Sequence, residues 1–380
     1  MTPPALNARL KQSPTTSPAV ASGLVIVALL IGLAIVETFC RLFTPLAVFN
    51  DQWDEIISFF QGGGTVFENH GPIFTYVPNK DIRNLTVYFT ATGFATEYDY
   101  RFHTNNFGLV QDADIEPARP SLLVLGNSFT EGMGAAPWFD KFVERNDGLR
   151  YQLINGGIRG TGFAQWYLLD RQLAAAKVNI EKVLVVFITA DYTRAVGNAS
   201  EVALHCLASS SLSGCPKDNF HSYFPMPPAG ELPRWVEEIK KWRDYDPAAW
   251  RKRIGRVMPV THLLYMYLKD KFSSSYRSAE NDSRKAIARL IAEHGADNVA
   301  FLHLPQRDEI HDGLLGLQIR EDISRAGGKL YDGFALCGLT AGDYHVHDNH
   351  PNEVGYGKIA RCVSQVVRSM TAKDRQAEFN

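Results

Sequence analysis

Residues 121–132, SLLVLGNSFTEG, decide how the chain reads. The first six carry no charge and are bounded by Pro120 and a Gly-Asn-Ser turn. That length suits a buried strand better than a helix. The turn Gly126-Asn127-Ser128-Phe129-Thr130-Glu131-Gly132 follows at once. A serine in a Gly-bounded turn between strand and helix is held exposed, with its own N–H near a helix N-terminus and able to face a developing negative charge. Taken alone, such a turn is equally a plain helix cap.

Working outward, strand-like runs recur at 151–155 (YQLIN), 182–189 (KVLVVFIT), 298–304 (NVAFLHL) and, more weakly, 329–332 (KLYD). Helix-like stretches at 137–146, 163–177, 283–294 and 354–370 alternate with them. Strands alternating with helices of this length predict an α/β domain over 121–372, a parallel sheet covered on both faces. Residues 50–120 read as a partly β lead-in, with strands at 86–91 and 98–105. Residues 198–277 break the rhythm and read as an insertion capping the site. Its aromatic residues between Trp235 and Tyr267 form either a sugar-stacking platform or simply the core of the cap. In open α/β sheets ligands bind beyond the carboxyl ends of strands, so catalytic groups are expected there.

The second chemical motif is Asp348-Asn349-His350-Pro351-Asn352-Glu353-Val354-Gly355. Residues two apart in an extended loop project to one side. Asp348 is therefore placed to orient His350 through Nδ1, leaving Nε2 to take the proton of Ser128, a Ser-His-Asp division of labour. His345, His347 and His350 with Asp343 and Asp348 are also a possible zinc cluster, a reading that leaves Ser128 without a task. Arg159 and Arg194 are candidates for an anionic substrate group or for surface ion pairs.

Together the two motifs resemble the SGNH, or GDSL-type, hydrolase family. They match its opening Gly-Asp-Ser turn and its closing Asp-x-His-x-Asn-x-x-Gly loop. Ile154-Asn155-Gly156-Gly157-Ile158-Arg159-Gly160-Thr161-Gly162 looks like the family's second block. The resemblance spans about residues 105–370. It implies a flavodoxin-like three-layer α/β/α sandwich, with the backbone N–H groups of Ser128 and Gly160 as oxyanion donors. It further implies an O-acyl ester as substrate, an acetyl group on a cell-envelope or exported polysaccharide being one example, with no metal or organic cofactor. Two positions depart from the pattern. Asn127 replaces the usual Asp, and Ala190 stands where a third oxyanion donor, an Asn, is usual. Thr189 is a candidate substitute donor, and an ionised Asp191 facing the oxyanion would oppose catalysis. The departure at Ala190 is the best support for a rival reading, a non-catalytic polysaccharide-binding or assembly protein on a hydrolase scaffold.

No charge lies between Lys11 and Glu37, and residues 19–36 (AVASGLVIVALLIGLAIV) are apolar apart from Ser22. This approaches the roughly 20 residues that cross a bilayer core as a helix. It exceeds the apolar region of most cleaved signals, and no A-x-A site follows. The expectation is a cytoplasmic tail over 1–18 and a single-pass anchor over 19–39 in the cell inner membrane. Arg9 and Lys11 on the near side would leave the remainder periplasmic, or otherwise extracytoplasmic. An oxidising space makes the cysteines informative: Cys206 with Cys215 and Cys337 with Cys362 are candidate disulfides, Cys40 being left over. The alternative is that all five are reduced. With 39 Lys and Arg against 41 Asp and Glu in 380 residues, the chain lacks the basic excess of a general nucleic-acid binder. An apolar share of 45% is that of a globular protein, not a disordered one.

Overall fold

The computed structural model describes residues 18–43, 56–61, 66–70, 73–90, 93–136, 138–194, 223–244, 258, 261, 274–312 and 317–372. The chain divides into two units, residues 1–50 with 246–270, and residues 51–245 with 271–380. Within the first, Pro18–Phe43 forms helix α1. Its stretch Ser22–Phe39 is long and apolar enough to cross a membrane, and most of its large apolar side chains, Leu24, Leu29, Leu30 and Ile35 among them, are exposed.

The second unit is built on a five-stranded parallel sheet. Its strands are β6 (Ser121–Gly126), β7 (Gln152–Gly157), β8 (Ile180–Phe187), β10 (Val299–His303) and β11 (Lys329–Asp332). The spatial order is β11-β10-β8-β6-β7. In chain order this is 2-1-3-4-5, the flavodoxin-like doubly wound arrangement, whose switch point lies between β6 and β8.

The strands are buried on both faces because their alternate residues serve two different cores. Leu123, Leu125, Val183, Val185 and Phe301 pack towards helices α4 (Phe163–Ala175), α6 (Ser274–His294) and α7 (Leu317–Arg325). Leu122, Val124, Leu184, Val186 and Leu302 pack with residues of α3 (Trp138–Arg145) and α9 (Glu353–Met370). Each such side chain contributes about 1.5–3 kcal/mol by leaving water. The disulfide Cys337–Cys362 ties the short helix α8 (Gly333–Cys337) to α9. Cys206 and Cys215 lie outside the described residues.

Upstream of β6 lies a second sheet. Strand β4 (Lys80–Thr90) pairs antiparallel with β5 (Gly93–Thr104) and with β1 (Ile56–Phe60), and β9 (Tyr223–Pro225) adds to β1 in parallel. The hairpin β2 (Phe67–Asn69) and β3 (Phe74–Tyr76) stands beside it. Tyr98, Tyr100 and Phe102 of β5 join the same core cluster as Leu123 and Ile154 of the parallel sheet. On the other face, Ile57, Phe59, Leu85 and Val87 pack with Val236 and Ile239 of α5 (Leu232–Asp244). Residues 223–244, within the 198–277 stretch expected to cap the site, instead complete this second sheet. Their apolar strand Tyr223–Pro225 finds an open edge on β1, which satisfies its backbone groups.

Candidate active site

The Gly126-Asn127-Ser128 turn is shaped by close approach. Strand β6 ends in Gly126, Asn127 caps helix α2 (Ser128–Glu131), and its side-chain oxygen accepts from the Phe129 N–H at 2.8 Å. A side chain at Gly157 on the neighbouring strand would collide with the backbone of Thr130 and Glu131. Glycine there lets α2 sit directly on the carboxyl edge of the sheet.

The loop before α9 delivers the imidazole to this turn. His350 Nε2 lies 2.7 Å from Ser128 Oγ, and His350 Nδ1 lies 2.6 Å from Asp348 Oδ1. A carboxylate only accepts, so Nδ1 carries the proton and Nε2 is left to accept from the serine hydroxyl. Ser128 keeps 7% of its surface, against 3% for His350 and 1% for Asp348, so a reactant reaches the serine first. Burial pushes the Asp348 carboxyl up, but the His350 ring and the hydrogen bonds from His350 and Tyr98 outweigh it and hold it below the usual range. Asn352 caps α9 by accepting from the Val354 and Gly355 N–H groups, which fixes the helix that follows the loop.

The second block places Gly160 at φ +71°, with open space where a Cβ would stand. Among the described residues, neither the Ser128 nor the Gly160 backbone N–H donates to a protein acceptor. Arg159, expected to face substrate or solvent, does neither. Its guanidinium is buried in an ion pair with Glu131, bonds Tyr100 Oη, and lies 4.8 Å above the Phe60 ring. The Arg159 N–H also donates to Glu131 Oε2 at 2.7 Å. A charge so deep needs a partner, and Glu131, three residues after Ser128, supplies it.

The third block also departs from expectation. Asp191 neither faces an oxyanion nor turns outward. It points inward across the switch point, where both its oxygens accept from Asn127 Nδ2 at 2.9 and 2.8 Å. The Ile188 N–H donates to it at 3.0 Å, and Arg194 approaches to 3.5 Å. Burial pushes the Asp191 carboxyl up to about 6, while Arg194 and these hydrogen bonds resist further shift. The pairing explains the departure at position 127, since a carboxylate there would meet Asp191 oxygens at hydrogen-bond distance. Thr189 Oγ1 is engaged with His303 Nε2 at 2.9 Å, and Ala190 is exposed.

The three clustered histidines do not converge. His345 Nε2 donates to Gly134 O at 2.8 Å, His347 Nδ1 meets Glu97 at 2.8 Å, and His350 meets Ser128. Among the described residues no group of three His, Cys, Asp or Glu side chains is placed to hold a metal ion. Several site residues were not found by reading the sequence. Tyr98 Oη donates to Asp348 Oδ2 at 2.9 Å, Tyr356 Oη donates to Met133 O at 2.7 Å, and Glu97 and Glu131 act as described. Only Glu131 carried a signal, as an acidic residue inside the Gly126–Gly132 turn.

No family model matches the chain, and no curated protein matches it. Among solved structures, the chain is similar to a lipase/acylhydrolase from Enterococcus faecalis (11% identity, 66% of this chain and 96% of that one, TM-score 0.35). It is also similar to an acetyl xylan esterase from Geobacillus stearothermophilus (13%, 66% and 95%, TM-score 0.33). A third is an alpha/beta hydrolase enzyme from the metagenome of Lake Arreo, Spain (13%, 68% and 97%, TM-score 0.32).

Proposed function

We propose that the chain is a membrane-anchored serine esterase or O-acyltransferase of the SGNH type. The observation that carries this is the unbroken run Asp348–His350–Ser128, closed between residues 222 positions apart in sequence. Ser128 Oγ attacks the ester carbonyl as His350 Nε2 takes its proton, and Asp348 holds the imidazole in the required tautomer. The negative charge that develops on the carbonyl oxygen is met by the N–H groups of Ser128 and Gly160. Collapse of the tetrahedral intermediate breaks the ester C–O bond, and His350 returns the proton to the departing alcohol. Water, or a second alcohol, then repeats the sequence on the acyl-enzyme. With Ala190 in the third block the reading has one oxyanion donor fewer than the family pattern, a difference worth about 10²–10³ in rate.

The exposed apolar helix α1 and the disulfide Cys337–Cys362 support a single-pass anchor and an extracytoplasmic domain in this reading. An O-acetyl group on an envelope or exported polysaccharide is the proposed ester, on the resemblance of the three sequence blocks. The test is hydrolysis or transfer by the full chain on a panel of acetylated sugars and short p-nitrophenyl esters, with Ser128→Ala as control. Turnover that Ser128→Ala abolishes supports the enzyme. Saturable binding of the sugars with no turnover in either protein favours the non-catalytic reading.

A further inference from the structure

Strand β5 carries an irregularity beside the acid–base loop. Thr86 of β4 pairs with Tyr98, but Val87 pairs with Thr96, so Glu97 has no partner across the ladder. Successive strand residues ordinarily face opposite ways, and a bulge re-aims a side chain at the point where the ladder breaks. Here two consecutive residues reach one loop. Tyr98 Oη donates to Asp348 Oδ2, the oxygen that His350 leaves free. Glu97 Oε1 accepts from the His347 N–H at 2.7 Å and from the Asp348 N–H at 3.3 Å, and its Oε2 meets His347 Nδ1. The His347 ring is stacked on Tyr88 of β4, with centroids 4.1 Å apart and planes 15° from parallel. The His345 ring packs on Tyr98 at 5.0 Å. The loop is thus gripped at His345, His347 and Asp348 by side chains of one hairpin.

We infer that Glu97 and Tyr98, presented by the β5 bulge, are positioning residues for the Asp348–His350 pair, so that the β-rich region is a working part of the active centre. This rests on the hydrolase reading for its consequence in rate, but not for the clamp itself. Tyr98 shares the charge of a buried carboxylate whose other oxygen orients the imidazole. Glu97 fixes the backbone that carries that carboxylate. The Glu131–Arg159 pair ties the same region to the turn that follows Ser128. Its guanidinium bonds Tyr100 Oη of β5, and Tyr76 Oη of β3 donates to Glu131 at 2.9 Å.

The experiment uses the full chain in detergent and two readouts. The Nδ1–H between His350 and Asp348 is followed as a far-downfield proton resonance, assigned by its loss in His350→Gln. The rate of Ser128 labelling by a fluorophosphonate is followed in parallel. Tyr98→Phe, with its thermal midpoint checked, is expected to move the resonance and slow labelling about tenfold, the scale of one hydrogen bond to a charged group. Glu97→Ala is expected to broaden the resonance and slow labelling. Glu97→Gln keeps an oxygen for the two backbone N–H groups and is expected to restore most of both. An unchanged resonance and labelling rate in folded Tyr98→Phe and Glu97→Ala would overturn the inference. If the wild-type chain does not label at Ser128, the hydrolase reading fails, and the resonance in the same variants still decides the clamp.

Discussion

Replacing Asn127 by Asp restores the residue usual beside such a serine, yet here it should damage the protein. Asn127 Nδ2 donates to both oxygens of fully buried Asp191. In Asn127→Asp those two contacts become carboxylate against carboxylate, which cannot both ionise, so the pair must retain a proton. The size follows from linkage. Asp191 is pushed up to about 6, whereas an unfolded Asp titrates near 3.9. A raised carboxyl leaves stability fully present below the unfolded value and removes it as pH climbs to the folded one. In the wild type that loss is complete by about pH 6. In the variant it continues above pH 6 at about 1.4 kcal/mol per pH unit, so the two proteins diverge by about 3 kcal/mol between pH 6 and pH 8. Urea denaturation of the full chain in detergent at both pH values measures this. The swapped double variant Asn127→Asp/Asp191→Asn, which rebuilds an amide–carboxylate pair, should close the gap. A deficit equal at the two pH values, or one that the swap does not relieve, would refute the reasoning.

Further outcomes are expected elsewhere. Glu131→Gln leaves the buried Arg159 guanidinium without its counter-charge and should cost about 3–5 kcal/mol in denaturant unfolding. Removing both Cys337 and Cys362 as alanines opens a link across 25 residues and should lower stability by about 3–4 kcal/mol; thiol counting on the wild type should show both blocked. His303 is buried, and that burial lowers it to about 4. An unfolded His binds its proton near 6.5, so stability should fall by about 3 kcal/mol from pH 6.5 to pH 4 and level off below. His303→Leu should remove that slope, read as the difference between the two proteins' denaturation midpoints across the same pH range.

Much of the architecture was legible in the sequence because a doubly covered parallel sheet writes itself as short apolar runs. Ser121–Gly126 and Lys329–Asp332 have the bounds the runs suggested. Strand β7 runs on through Gly156 and Gly157, because parallel pairing with β6 holds residues that local turn signals would have released. Ser128, Asp348 and His350 were legible as short-range motifs whose meeting only the topology could supply. Other contacts left no local trace. Tyr98 lies 250 positions from Asp348, and nothing in an alternating strand announces the bulge that aims Glu97. Arg159 looked free because its partner stands 28 residues upstream, buried with it. Asp191 looked hostile to catalysis until Asn127, across the switch point, was seen to take up its charge.

The most direct test of the catalytic reading is covalent. The full chain, treated with a fluorophosphonate and digested, is expected to carry one phosphonyl adduct on the peptide containing Ser128, lost in Ser128→Ala and nearly lost in His350→Ala. Folded protein with no adduct, or with an adduct on another serine, would contradict it.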